Sequence, residues 1–121
     1  MTKKRILIVE DEPITAMDES SLVASDGYEV VGIARSGEAA IQMALKFRPD
    51  LILMDLRLDE AISGNVAADE ICAKYDVPII YVTAFGNKEQ SKDAPPPDGV
   101  GYIVKPYSEK ELLDEIHRLL P

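Results

Sequence analysis

The segment Asp50-Leu51-Ile52-Leu53-Met54-Asp55 decides how the chain folds. Four apolar residues run without a break and end on a carboxylate. A run of that length, opened by Pro49-Asp50, reads as a strand covered on both faces, as in a parallel sheet. Asp55 then stands at the carboxyl end of the strand, the edge where open α/β sheets hold their chemistry. A carboxylate there is costly unless a cation or a proton compensates it. The rest of the chain has to supply that compensation.

Upstream, Ile6-Leu7-Ile8-Val9 is a second buried-type strand, ending on Glu10-Asp11-Glu12 before Pro13. Proline suits the first turn of a helix, where its missing N–H costs nothing. That helix is expected to run to about Ser25, with Asp26-Gly27 as its stop. Tyr28 to Ala34 reads as a more amphipathic strand suited to an edge. Ser36 caps a second helix whose apolar face is Ala39, Ala40, Met43, Ala44 and Phe47, and Pro49 closes it.

Downstream, Leu56 to Ser63 is a loop and Gly64 to Tyr75 a third helix, with Ala67, Ala68, Ile71 and Cys72 expected on its core side. Ile79-Ile80-Tyr81-Val82 is a strand ending on Thr83. Asn87 to Lys92 is a short, weakly helical stretch, and the prolines of Ala94 to Gly99 forbid its extension. Gly101 to Val104 is the fifth strand, ending on Lys105-Pro106. Ser108-Glu109-Lys110-Glu111 is a capping box that opens a last helix with the stripe Leu112, Ile116, Leu119 and Leu120. Five strands alternating with five helical patterns give a doubly wound α/β domain with a parallel sheet, one domain over residues 1–121.

Composition narrows the function. With 13 basic and 22 acidic residues the formal charge is −9, which argues against direct binding of nucleic acid by this domain. One cysteine, Cys72, excludes an internal disulfide framework and suits a reducing cytoplasm. No apolar run approaches the ~20 residues of a membrane span, and Ile6 to Val9 is too short for a signal peptide. The expected setting is cytoplasmic, away from membranes.

The strand ends carry the functional argument. Strand one ends on Glu10 and Asp11, strand three on Asp55, strand four on Thr83 and strand five on Lys105. A parallel sheet brings these ends to one edge. Carboxylates about 4 Å apart repel by roughly 4 kcal/mol at an effective dielectric near 20, so the cluster calls for a divalent cation. All-oxygen ligation by few protein carboxylates suits Mg²⁺. A metal-bound aspartate beside a hydroxyl and an ammonium is equipped to take a phosphoryl group as an acyl phosphate.

With these residues in place the chain resembles a response-regulator receiver domain of two-component signalling. The motifs are Ile6-Leu7-Ile8-Val9-Glu10-Asp11-Glu12, Leu53-Met54-Asp55, Val82-Thr83-Ala84 and Tyr102-Ile103-Val104-Lys105-Pro106, and the likeness extends from Lys4 to Leu120. The resemblance implies a flavodoxin-like five-stranded sheet of order 2-1-3-4-5 flanked by five helices, the fourth short or irregular. It implies that Asp55 accepts a phosphoryl group from the phosphohistidine of a sensor histidine kinase. Asp11 would bind Mg²⁺ directly, Glu10 through water, and Arg57 through its backbone carbonyl, with Asp55 completing the set. Thr83 and Lys105 would contact the phosphoryl group, and Thr83 with Tyr102 would form the conformational switch. Lys105-Pro106 resembles the family's cis-peptide pair. The implied output is a downstream protein or attached module, and a phosphorylation-dependent dimer is one assembly the resemblance allows.

The chain also departs from the family pattern. Asp59 stands where many receivers have a proline, the loop to Gly64 is a residue longer than in many relatives, and Pro95 to Pro97 shorten the fourth helix on the usual signalling face. Arg57 and Phe85 flank the acceptor at positions where bulk would gate attacking water.

Singly, most of these residues have plainer readings. Asp55 alone would be a hydrogen-bonded strand-end carboxylate, Thr83 and Tyr102 ordinary strand residues, Lys105 a surface lysine. Glu12 serves the helix dipole, and His117 is a solvated residue of the last helix. Two other functions use similar parts. A phosphatase working through an aspartyl phosphate would place a second acid where Arg57 stands, and a pseudo-receiver would lack the full set of Asp11, Asp55, Thr83 and Lys105.

Overall fold

A computed structural model of the chain describes residues 3–56, 64–83 and 99–121. The elements in order are β1 (Arg5–Val9), α1 (Pro13–Ser25), β2 (Glu29–Ala34), α2 (Gly37–Phe47), β3 (Leu51–Asp55), α3 (Gly64–Cys72), β4 (Ile79–Thr83), β5 (Val100–Val104) and α4 (Glu109–Leu119). All strands pair in parallel in the order β2-β1-β3-β4-β5. This is the flavodoxin-like sheet expected from the sequence. It has four helices among the described residues rather than five, because the stretch 87–92 and the proline run after it lie outside them.

The unbroken apolar runs are buried on both faces. Alternate residues of β1 and β3 divide between two cores. Leu7, Val9, Ile52 and Met54 pack with Ala40 and Ala44 of α2 and with Ala67, Ala68 and Ile71 of α3. Ile6, Ile8, Leu51 and Leu53 pack with Val23 of α1 and with Leu112 and Ile116 of α4. Helix termini follow local chemistry. The Ser36 hydroxyl accepts from Ala39 N–H at 3.1 Å, and Ser108 and Glu111 form the reciprocal capping box, both bonds 3.1 Å. At the end of α1 the Tyr28 N–H bonds the Val23 carbonyl and the Gly27 N–H bonds that of Ala24. Such a Schellman stop needs the positive φ of 94° that Gly27 supplies.

Two expectations change. Cys72 is exposed rather than part of the core, because the inward stripe of α3 is Gly64, Ala67, Ala68 and Ile71, and the helix ends one residue later. His117 is exposed but not simply solvated: its Nε2 lies 2.7 Å from Asp26 Oδ2, tying α4 to the end of α1.

The outer side of β5 is covered by α4. Tyr102 N–H donates to Glu115 Oε2 at 3.3 Å, and the Arg118 guanidinium donates to the Val100 carbonyl at 3.0 Å and to Glu115. A Cβ on Gly101 would stand 2.5 Å from Glu115 Oε2, so the glycine lets this carboxylate lie against the strand.

Gly64 carries a stronger constraint. A Cβ there would collide with the carbonyl oxygen of Asp55, which shows how closely α3 begins against the end of β3. Gly64→Ala should therefore cost about 1–3 kcal/mol by overpacking against rigid backbone. Urea unfolding measures this, and an unchanged midpoint would contradict it.

Candidate functional site

Register brings the strand ends together. Val9 pairs with Met54, Asp55 with Val82, and Thr83 with Val104. Glu10 is thus level with Asp55, Thr83 stands one step further along the same edge, and Lys105 two. The strand order reverses between β1 and β3, the switch point outside which doubly wound sheets hold ligands.

Glu10 (1% exposed), Asp55 (5%) and Thr83 (7%) are buried. Oxygens of Glu10, Asp11 and Asp55 all lie within 4.8 Å of one another. The Lys105 ammonium is 3.0 Å from Glu10 Oε1 and 3.7 Å from Asp55 Oδ2. The other oxygen of Glu10 accepts the Glu12 N–H at 3.2 Å. Lys105 is fixed at its backbone too, its N–H donating to the Thr83 carbonyl at 2.7 Å, and the Lys105–Pro106 peptide is cis.

Burial pushes the Glu10 carboxyl up to about 7, with Asp55 adding to the rise and Lys105 and the Glu12 N–H opposing it. Burial acts to lower the Lys105 ammonium, but its bond to Glu10 and the charges of Asp55, Glu10 and Glu19 outweigh this and hold it above the usual lysine range. The site is an acidic pocket in which a proton or a cation is strongly favoured.

Tyr102 stacks on Tyr81, its register partner, with ring centroids 5.5 Å apart and planes 25° from parallel. Tyr81 and Thr83 share a face of β4, so Tyr102 sits one pleat from the threonine. Among the sequence-derived site residues, Glu10, Asp11, Asp55, Thr83, Lys105 and Tyr102 fall at or beside this edge. Arg57, Asp59, the loop to Gly64, Phe85 and Pro95 to Pro97 lie outside the described residues.

One neighbouring group escaped the sequence reading. Glu19 of α1 is 3% exposed and accepts the Tyr107 hydroxyl at 2.8 Å. The signal was present: Ala16, Glu19 and Val23 are the buried residues of α1, at helical spacing.

The sheet order and the acids at its switch point define a doubly wound α/β domain of the flavodoxin-like kind. A profile of the response regulator receiver domain matches residues 6–117, and the chain belongs to that family. It is 36% identical over 113 residues to the transcriptional regulatory protein PdtaR of Mycobacterium tuberculosis, covering 93% of this chain and 55% of that protein. The solution structure of the receiver domain of PhyR from Erythrobacter litoralis superposes with a TM-score of 0.86 at 32% identity, covering 99% of this chain and 92% of that one. The crystal structure of PhyR from Bartonella quintana, an anti-anti-sigma factor, gives 0.84 at 33% identity, covering 99% and 48%. The chain spans about half the length of the curated relatives it matches. No helix among the described residues is long and apolar enough to cross a membrane.

The Glu10 shift has a measurable consequence. Between pH 4.5 and about 7 the folded chain keeps a proton on Glu10 that the unfolded chain has released. The folded state then binds more protons, so its stability falls as pH rises through that window. Without divalent cations, wild-type stability relative to Glu10→Gln should drop by about 2 kcal/mol from pH 5 to pH 8. Urea titrations of both proteins test this, and parallel pH profiles would refute it.

Proposed function

We propose that residues 1–121 form one receiver domain of a two-component phosphorelay, acting in the cytoplasm, with Asp55 as the phospho-acceptor. The observation that carries this reading is the Lys105 ammonium held within 4 Å of both Glu10 and Asp55, beside three carboxylates that share one edge.

The donor set is all oxygen and clustered tightly enough for a small divalent cation. Asp11 and Asp55 would hold Mg²⁺ directly, Glu10 through water, and the Arg57 carbonyl would complete the set. Once bound, the ion supplies positive charge to the phosphoryl oxygens.

In the transfer, an Asp55 carboxylate oxygen forms the O–P bond while the N–P bond of a kinase phosphohistidine breaks. The imidazole departs with the bonding pair. Lys105 neutralises one phosphoryl oxygen and the Thr83 hydroxyl donates to another. Hydrolysis of the acyl phosphate later returns the carboxylate and releases phosphate. Displacement of Thr83 toward the phosphoryl group would open room beside Tyr81 and Tyr102, and Tyr102 would turn inward. The partners are a sensor histidine kinase on one side and a downstream protein or attached output module on the other. PdtaR and PhyR, as longer chains, support the second. A phosphatase working on a separate substrate is disfavoured by Arg57, which stands where a second acid would be needed.

Intact-mass spectrometry after incubation with acetyl phosphate tests the proposal. A single adduct of one phosphoryl group is expected with Mg²⁺, absent with EDTA and absent in Asp55→Asn. No adduct, with Mg²⁺ binding shown separately and phosphoramidate also tried, would overturn it in favour of a phosphorylation-independent receiver fold.

A further inference from the structure

Glu19 is a buried carboxylate that the transfer chemistry does not use. It lies in the middle of α1, on the stripe facing the sheet. Its partner is far along the chain: Tyr107, at 88 residues' separation, donates its hydroxyl to Glu19 Oε2 at 2.8 Å. Tyr107 stands two residues beyond Lys105, in the turn between β5 and α4. The groove between that turn and α1 encloses about 1040 Å³, and Glu19, Lys105 and Tyr107 all line it.

The turn is held at two points. Before it, Lys105 N–H is bonded to the Thr83 carbonyl, and after it, the Tyr107 hydroxyl is bonded to Glu19. The lysine whose backbone N–H is the first anchor reaches with its ammonium to Glu10 and Asp55. At the other end, α1 begins immediately after Glu10, Asp11 and Glu12, so the helix that carries Glu19 shares the acids' framework. A bond from α1 to the turn therefore sets the distance between the acids and the lysine. Electrostatics agree with the geometry. Burial raises the Glu19 carboxyl, while the Tyr107 hydroxyl and the charge of Lys105 oppose that rise. Burial and the adjoining Glu19 also raise the Tyr107 hydroxyl, which keeps it protonated and able to donate.

We propose that Glu19 is a positioning residue for Lys105: by holding the Tyr107 hydroxyl it fixes the turn at 105–107 against α1, and so sets where the ammonium stands relative to Glu10 and Asp55. The catalytic consequence rests on the receiver reading above, whereas the positioning itself does not. Misplacing a reacting group by 1 Å can cost on the order of 10²-fold in rate, so a modest drift of the lysine is readily measured.

Three variants separate positioning from plain packing. Tyr107→Phe removes the donor with little change of shape, Glu19→Leu removes the acceptor, and Glu19→Gln keeps an acceptor oxygen. Phosphoryl uptake from acetyl phosphate should slow about tenfold in Tyr107→Phe and Glu19→Leu, at an unchanged half-saturating Mg²⁺ concentration. Glu19→Gln should stay within about twofold of wild type. The double variant Glu19→Leu/Tyr107→Phe should be no slower than either single one, since both break the same bond. Rates unchanged in Tyr107→Phe, or lowered equally by Glu19→Gln, would overturn the proposal.

A second readout needs no phosphodonor. The ¹³Cε–¹⁵Nζ resonance of Lys105 in the full chain should move in Tyr107→Phe. If it does not move, the positioning role fails whatever the chemistry. If it moves while wild type takes up no phosphoryl group, the positioning stands and the receiver reading is the one that fails.

Discussion

The pairing of Lys105 with Glu10 joins the ends of two strands that are not neighbours. β1 and β5 are separated by β3 and β4, so three strand spacings of ~4.8 Å, about 14 Å in all, divide their backbones. Only long side chains reaching toward each other over Asp55 can close that gap. A lysine and a glutamate do so at 3.0 Å, and Asp55 of the intervening β3 has its Oδ2 3.7 Å from the same ammonium. Much of the molecule serves this one contact. The parallel sheet brings the ends to one edge, the two apolar layers hold the strands in register, and Glu10 is buried while Lys105 is partly exposed. Removing Lys105 would leave the buried Glu10 carboxylate, when charged, without its cation, which is costlier than the pair is stabilising.

The bridge also explains why the surrounding groups are tied down rather than left to solvent. Glu10 has its second oxygen occupied by the Glu12 N–H, and Lys105 has its own N–H bonded to the neighbouring strand. An ammonium on a flexible four-carbon stem is placed only as well as its backbone is placed. In this fold that backbone lies where β5 ends and the turn to α4 begins. Contacts to that turn from α1 and β4 thus bear on the acid cluster.

Most of the fold and of the site was legible in the sequence because the informative residues end apolar runs. Asp55 follows Leu51 to Met54, Glu10 follows Ile6 to Val9, and Lys105 closes β5; each announces itself by breaking an uninterrupted pattern. Glu19 breaks no such pattern. It lies inside a helix rich in polar residues, where a glutamate looks solvated unless its spacing to Ala16 and Val23 is noticed. Cys72 misled for the converse reason, since an apolar residue next to Ile71 is drawn into the stripe although the helix ends there. The pairing of His117 with Asp26 spans 91 residues and depends on how α4 lies against α1, which no local pattern encodes. The Tyr81–Tyr102 stack follows from register alone, and register becomes visible only once the sheet is assembled.

The clasp of Glu115 and Arg118 on β5 has a further consequence for how such molecules meet. A strand at the border of a sheet normally offers a row of unpaired N–H and C=O groups, a template on which another chain can polymerise. Here the outward N–H of Tyr102 and the outward carbonyl of Val100 are already engaged by α4. The sheet is closed to growth along that stretch by its own last helix, as a selvedge keeps cloth from unravelling or being sewn on. At Val100 and Tyr102, therefore, a neighbouring strand would have to displace α4's side chains before it could pair.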